Sequence, residues 1–209
     1  LLTTMRAYDV ITQTPDGKYA LGLRLFEYGR QVERTWDISL VARPYMEHLS
    51  QSTGASVMLS ICEGGSVITL DQVEARDKLR IVSDAGARLP IYCTSQGKVF
   101  LAHMPRAEAE KLLRRQSMTQ FTPHTITDVG ALMREAGTCR ENGFAIENGE
   151  YKIGLRSISA PVYTVERAVR YTVGVIGMFR SAHSDEFQDA VEQVCATAAM
   201  ISAALGYRE

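Results

Sequence analysis

The sequence has few of the features that would mark metal, membrane or enzyme chemistry. Its four cysteines, Cys62, Cys93, Cys139 and Cys195, stand far apart, with no Cys-x-x-Cys pair and no histidine at metal-ligand spacing. That pattern reads as reduced, mostly buried thiols in a cytoplasmic protein, and no metal is expected. No apolar run reaches the roughly 18 residues of a membrane span, and no signal peptide is present, so no membrane partner is expected. Neither sign of charge dominates: 23 Lys and Arg face 24 Asp and Glu, a formal net charge of −1. The whole chain is therefore not a basic nucleic-acid binder, and any DNA contact must be local. Gly-x-Gly-x-x-Gly, phosphate-loop and His-Glu-x-x-His motifs are absent, and Gly154-Leu155-Arg156-Ser157 is not a nucleophile elbow. No cofactor is expected. What remains for catalysis is Cys93 near a helix start, with His103, His124 or His183 brought close only by folding; an enzyme is the minority reading.

What is present suits a globular chain. Hydrophobic residues make up 45% and charged residues 22%, enough for a packed core. The organising stretch is 89–102. Leu89, Ile91 and Cys93 alternate with Pro90 and Tyr92 as in a strand, Thr94 and Ser95 are N-cap types, and Val99 to Leu101 begin an apolar helical run. The first turn of such a helix carries unpaired N–H groups and partial positive charge, so it can hold a carboxylate or phosphate without a charged side chain.

The rest of the chain alternates strand and helix signals. Leu1 to Tyr8 have helical spacing, and Thr14-Pro15-Asp16-Gly17 is a turn between two short strands. Residues 23–34 and 40–53 read as helices. Strands are expected over 55–62 and 67–73 as a hairpin, at 79–82, and over 144–147, 155–162 and 170–179. Helices are expected after Gly97, from Arg106, from Asp128 to Glu141, and from Glu186 to Leu205. Hairpin-like connections point to an α+β fold with a mainly antiparallel sheet covered by helices.

Four stretches in order resemble the IclR family of bacterial transcriptional regulators: Asp16 to Gly22, the Leu-Pro strand leading to Gly97-Lys98, Phe121 to Asp128, and Asn142 to Glu147 followed by Glu150 to Val162. The resemblance covers nearly the whole chain. It implies the end of a recognition helix and the wing of a winged helix-turn-helix over 1–22, a linker helix over 23–35, and a GAF-like effector-binding domain over 36–209. Because the chain opens with Leu1 in mid-pattern, the expectation is a fragment whose head is incomplete and binds DNA poorly by itself. The resemblance further implies operator DNA as partner of the full-length protein, with Thr3, Thr4, Arg6 and Lys18 on the DNA-facing elements. It also implies a homodimer or homotetramer.

The same resemblance places a small-molecule effector, an organic acid, between the turn before the Gly-Lys helix and the last strands. Ser95 and Gln96 would offer backbone N–H groups, Glu147 and Ser157 would close the site, and Gly174 and Ile176 occupy positions that carry hydroxyls in relatives. Ile81, Leu89 and Leu155 would form an apolar wall. Two hydroxyl positions lost to Gly174 and Ile176 point to a ligand with an apolar or aromatic body. Gly97 and Lys98 read as structural. The alternatives are a GAF-like sensing module without DNA binding and a Cys93-dependent enzyme.

Overall fold

The computed structural model describes residues 1–28, 38–75 and 86–208. The chain divides into two units, Leu1–Ile38 and Ser39–Glu209. In the first, helix α1 (Leu2–Ala7) precedes strands β1 (Ile11–Gln13) and β2 (Tyr19–Leu21), and residues 23–28 are helical (α2). The strands pair antiparallel, Ile11 opposite Leu21 and Gln13 opposite Tyr19. Their turn closes because Gly17 donates its N–H to Thr14 O and Thr14 donates to Lys18 O, each at 2.9 Å. A left-handed φ of +83° at Gly17 suits that residue. The remainder of the expected linker helix, the expected strand at 79–82, and with it Ile81, lie outside the described residues.

The second unit holds a six-stranded sheet. Its strands are β3 (Ser56–Glu63), β4 (Ser66–Val73), β5 (Arg88–Pro90), β6 (Ala145–Asn148), β7 (Arg156–Tyr163) and β8 (Val169–Gly177). They run in the order β5-β4-β3-β8-β7-β6, and every described pairing is antiparallel. Helices α3 (Ile38–Thr53), α4 (Ser95–His103), α5 (Arg106–Arg115), α6 (Val129–Asn142) and α7 (Asp185–Ala204) cover it. The α+β class and the mainly antiparallel sheet expected from the sequence are those of the structure.

Alternation along the strands gives the sheet two unlike faces. Val57, Leu59, Ile158, Ala160, Val162, Val173 and Val175 are all buried and share one face. Helix α7 lies against β7 and β8 there, burying Phe187, Ala190, Val191, Val194, Ala198 and Ile201. Each large aliphatic side chain so buried contributes about 1.5–3 kcal/mol. The other face carries Ser56, Met58, Ser60, Ser157, Ser159, Thr172, Gly174 and Glu147, and α4 lies across it.

One expected element is shorter than its alternation suggested. The strand reading ran through Cys93, but β5 ends at Pro90 and residues 91–94 bend into α4. Ile91, Tyr92 and Cys93 are all buried, so they do not alternate between two faces. The Thr94 hydroxyl donates to Pro90 O at 2.8 Å and folds the chain back. Those residues join the apolar cluster beneath α4, α5 and α6 instead of extending the sheet.

Candidate functional site

The start of α4 is built by its own sequence. Thr94 is the N-cap, its Oγ1 accepting from Gly97 N–H at 3.2 Å. The first intrahelical bond is that of Lys98 N–H to Thr94 O at 3.0 Å, so the N–H groups of Ser95 and Gln96 precede the helical ladder. Gly97 permits the close return of the chain: a Cβ there would stand 2.0 Å from Ile91 O.

This helix start meets the polar sheet face in a closed cluster. Ser95 Oγ lies 2.9 Å from Ser157 Oγ and 2.8 Å from Ser159 Oγ. Ser157 in turn donates to Glu147 Oε2 at 3.3 Å. A hydroxyl has one proton, so the chain of donors runs Ser159 to Ser95 to Ser157 to the Glu147 carboxylate. Glu147 Oε1 also accepts the N–H groups of Glu150 at 2.5 Å and Tyr151 at 3.1 Å. Glu147 is only 2% exposed. Burial raises its pKa above the ordinary carboxyl value, outweighing the backbone and Ser157 bonds that favour the charge. Gln96 sits beside this cluster with weak partners: Nε2 lies 3.7 Å from Met58 Sδ, and Oε1 lies 3.4 Å from Ser95 Oγ.

A buried ion pair stands behind the cluster. Lys98 Nζ bonds Glu150 Oε1 at 2.6 Å, Glu135 Oε2 at 3.3 Å and Ile146 O at 3.2 Å. Lys98 and Glu150 side chains are nearly sealed from solvent, whereas Glu135 is half exposed. Burial is the largest influence on the Glu150 carboxyl and raises its pKa, with Lys98 opposing it. The turn carrying Glu150 is fixed from its far side too, since Thr125 Oγ1 donates to Glu150 O at 2.6 Å and Thr122 Oγ1 to Gly149 O at 2.7 Å. Lys98, expected to be structural, thus joins α4 to the turn that supplies two N–H donors to Glu147.

Of the residues proposed from the sequence, Ser95, Gln96, Glu147, Ser157, Gly174 and Ile176 converge on this face. Ile176 stands opposite Ser56 and Ser157, and Gly174 opposite Met58 and Ser159. A Cβ at Gly174 would stand 2.2 Å from Ser159 Oγ, so a side chain there would displace the serine. Leu155 is half-buried in the turn before β7. Leu89 pairs with Val67 and packs into the apolar cluster of α4, α5 and α6. In the first unit, Thr3, Thr4, Arg6 and Lys18 are exposed; Arg6 donates to Gln13 Oε1 at 3.0 Å and Lys18 pairs with Asp16 at 2.9 Å.

The nucleophile reading of Cys93 fails on its surroundings. The thiol is fully buried, and burial, with Glu150 and Glu147 nearby, pushes its pKa up to about 12. A helix N-terminus favours the thiolate, but desolvation wins here. His103 is committed elsewhere, to Val99 O at 2.9 Å and Tyr163 Oη at 3.1 Å. Among the described residues, no group of three or more His, Cys, Asp and Glu could hold a metal ion.

Several residues of this face escaped the sequence reading. Ser159 follows Ser157 at a period of two, which is a legible signal once β7 is accepted as a strand. Ser60 lies inside the apolar run Val57 to Cys62, where a lone serine is itself a mark. Thr172 is its cross-strand neighbour. Both are fully buried, and neither hydroxyl finds a partner among the described residues.

Residues 31–203 match the family described as Bacterial transcriptional regulator IclR C-terminal. The chain is 32% identical over 208 residues to the HTH-type transcriptional regulator XynR of Escherichia coli, covering 99% of this chain and 82% of that protein. It is 28% identical to the HTH-type transcriptional repressor AllR of the same species, over all of this chain and 77% of that one. The crystal structure of the Thermotoga maritima IclR superposes with a TM-score of 0.81 at 27% identity, over 99% of this chain and 83% of that one.

Proposed function

Since the chain belongs to the IclR family of bacterial transcriptional regulators, we propose that its second unit senses a small organic acid and that the signal alters operator binding by a winged helix-turn-helix head. The observation that carries this reading is the buried meeting of the α4 start with Ser157, Ser159 and Glu147. A ligand carboxylate has a place at the N–H groups of Ser95 and Gln96, where helix geometry supplies partial positive charge. Glu147 would repel that carboxylate unless the ligand offers it a hydroxyl donor or Glu147 itself is protonated, so a hydroxy-acid, or a keto-acid whose carbonyl accepts from protonated Glu147, is favoured over a simple dicarboxylate. Leu155, Leu89 and Ile81 remain the proposed apolar flank.

Binding must open bonds that the cluster makes with itself, Ser95 to Ser157 and Ser159 above all. The ligand therefore selects an arrangement of α4 against the sheet, and the linker helix conveys that choice to residues 1–22, where Thr3, Thr4, Arg6 and Lys18 face DNA. The protein works as a homodimer or homotetramer in the cytoplasm, matching two-fold operators. Among the described residues, no helix is long and apolar enough to cross a membrane.

A thermal-shift screen of small carboxylic acids tests the site. A binder present at 100 times its Kd should stabilise the protein by about 2.7 kcal/mol. Ser157→Ala and Ser95→Ala should each weaken that binder. An acid whose affinity ignores both substitutions binds somewhere else.

A further inference from the structure

Hydrogen-bonding capacity on the polar sheet face is unevenly used. Glu147, Ser95, Ser157 and Ser159 bond one another, and beside them only Glu150 Oε2 and Arg156 Nε, both on charged groups otherwise engaged, find no partner among the described residues; farther along the face two neutral hydroxyls have no bond at all. Ser60 and Thr172 stand directly opposite each other on β3 and β8, at 0% exposure, and neither hydroxyl has a hydrogen-bond partner among the described residues. Burying a hydroxyl without a partner costs about 1–3 kcal/mol, and here two do so side by side. Between them and the serine cluster lie Met58 and Gly174, and the Gln96 amide that reaches Met58 makes only the long contact to its sulfur and a 3.4 Å approach to Ser95. Three under-used polar groups thus lie in line from the α4 start across the face.

Resting on the effector-site reading above, we infer that the ligand is a carboxylic acid bearing a hydroxyl group remote from its carboxylate, with Ser60 and Thr172 as the partners of that hydroxyl. Spacing sets its length. Thr172 is two residues from Gly174, or about 7 Å along β8 at a strand rise of about 3.4 Å per residue. Gly174 is the cross-strand neighbour of Ser159, which Ser95 bonds. An acid with four or five carbons spans that interval when extended, on the order of 7 Å at the reach of ordinary bonds. The Gln96 side chain, held by weak contacts, is the group that must swing aside. A remote hydroxyl donates to one of the two side chains and accepts from the other, which an apolar body cannot do. The apolar-bodied ligand expected from the losses at Gly174 and Ile176 would leave both hydroxyls as they are.

Matched acids test this on the full 209-residue chain by titration calorimetry: butanoate against 4-hydroxybutanoate, and pentanoate against 5-hydroxypentanoate. The hydroxylated member of at least one pair should bind about tenfold more tightly, the scale of one well-made hydrogen bond. Thr172→Val, which keeps the shape of the side chain, and Ser60→Ala should each bring that ratio close to one while leaving the parent acid within about twofold of its original affinity. Equal binding within both pairs, or a ratio that survives both substitutions, overturns the inference. Ser157→Ala separates the two levels of the claim. If it weakens every acid while the ratio ignores Thr172→Val, the effector site stands and the remote hydroxyl subsite falls. If it changes nothing, the effector-site reading falls and takes this inference with it; if no acid of either pair binds, the remote-hydroxyl inference falls by itself, and the effector-site reading is decided by the wider screen of acids.

Discussion

The two faces of the sheet obey different physics although the same strands build both. On the α7 face, Val57, Leu59, Ile158, Val173 and Val175 are buried, α7 lies against β7 and β8 and buries Phe187, Val194 and Ile201, and stability there follows buried apolar area. On the α4 face, serines, threonines and Glu147 are buried equally deeply, and stability there depends on whether each polar group has a partner. A face of the first kind tolerates no polar intrusion and has nothing to offer a charged ligand. A face of the second kind holds its surplus bonding capacity ready for a molecule that can use it. One sheet is therefore an apolar scaffold on one side and a polar face, the proposed effector site, on the other.

The comparison can be broken most forcefully on the apolar side. Phe187→Ala should cost about 3–5 kcal/mol in denaturant unfolding, since it removes a fully buried ring that meets Phe179 edge-on at 5.1 Å. The acid-induced thermal shift should survive in the folded fraction. A loss below about 1 kcal/mol would mean that α7 is not what anchors the sheet.

On the polar side the largest effect belongs to Lys98. Lys98→Met leaves Glu150 buried without its cation and should cost about 3 kcal/mol at neutral pH. The double variant Lys98→Met, Glu150→Met should recover much of that loss, because an apolar pair replaces the ion pair. Chemical denaturation of the single and double variants checks it, and additive losses would show that pairing is not the reason.

Glu147 should reveal itself through pH. Its folded-state pKa lies above the ordinary 4.5, so the folded protein holds the proton more tightly than the unfolded chain does. Its contribution is fully present below pH 4.5 and is lost as pH rises through the raised folded value. Glu147→Gln, neutral throughout, should therefore gain in Tm relative to the original protein as pH goes from 4.5 upward to 8. Melting curves across that range that run parallel, or diverge in the opposite sense, would contradict the burial-dominated environment.

The smallest effect sharpens the comparison because its sign is reversed. Thr172→Val removes a fully buried hydroxyl that has no partner among the described residues, so unfolding free energy should stay level or rise by up to about 1 kcal/mol. Ser157→Ala, which removes a hydroxyl that bonds both Ser95 and Glu147, should destabilise by about 1 kcal/mol. Equal losses at the two positions would remove the distinction between used and unused polar groups.

Much of this was legible in the residues themselves. The hairpin at Thr14 to Gly17, the hairpin of β3 and β4, the Thr94 cap and the apolar stripe of α7 follow from local preferences, because turn, cap and helix periodicity act over a few neighbours. The order of the motifs likewise fixed the family. What the sequence could not decide was the outcome where local preference and burial disagreed. Alternation through Cys93 asked for a strand, and the apolar cluster under α4 took Ile91, Tyr92 and Cys93 instead. A helix start asked for a thiolate at Cys93, and desolvation refused it. Only the register of β3, β7 and β8 brought Ser60 beside Thr172 and Ser159 within reach of Ser95, from positions 112 and 64 residues apart along the chain. Hydrogen bonds between such distant residues leave no periodic trace. They exist because strand pairing sets which side chains share a face, and burial then makes each of them count.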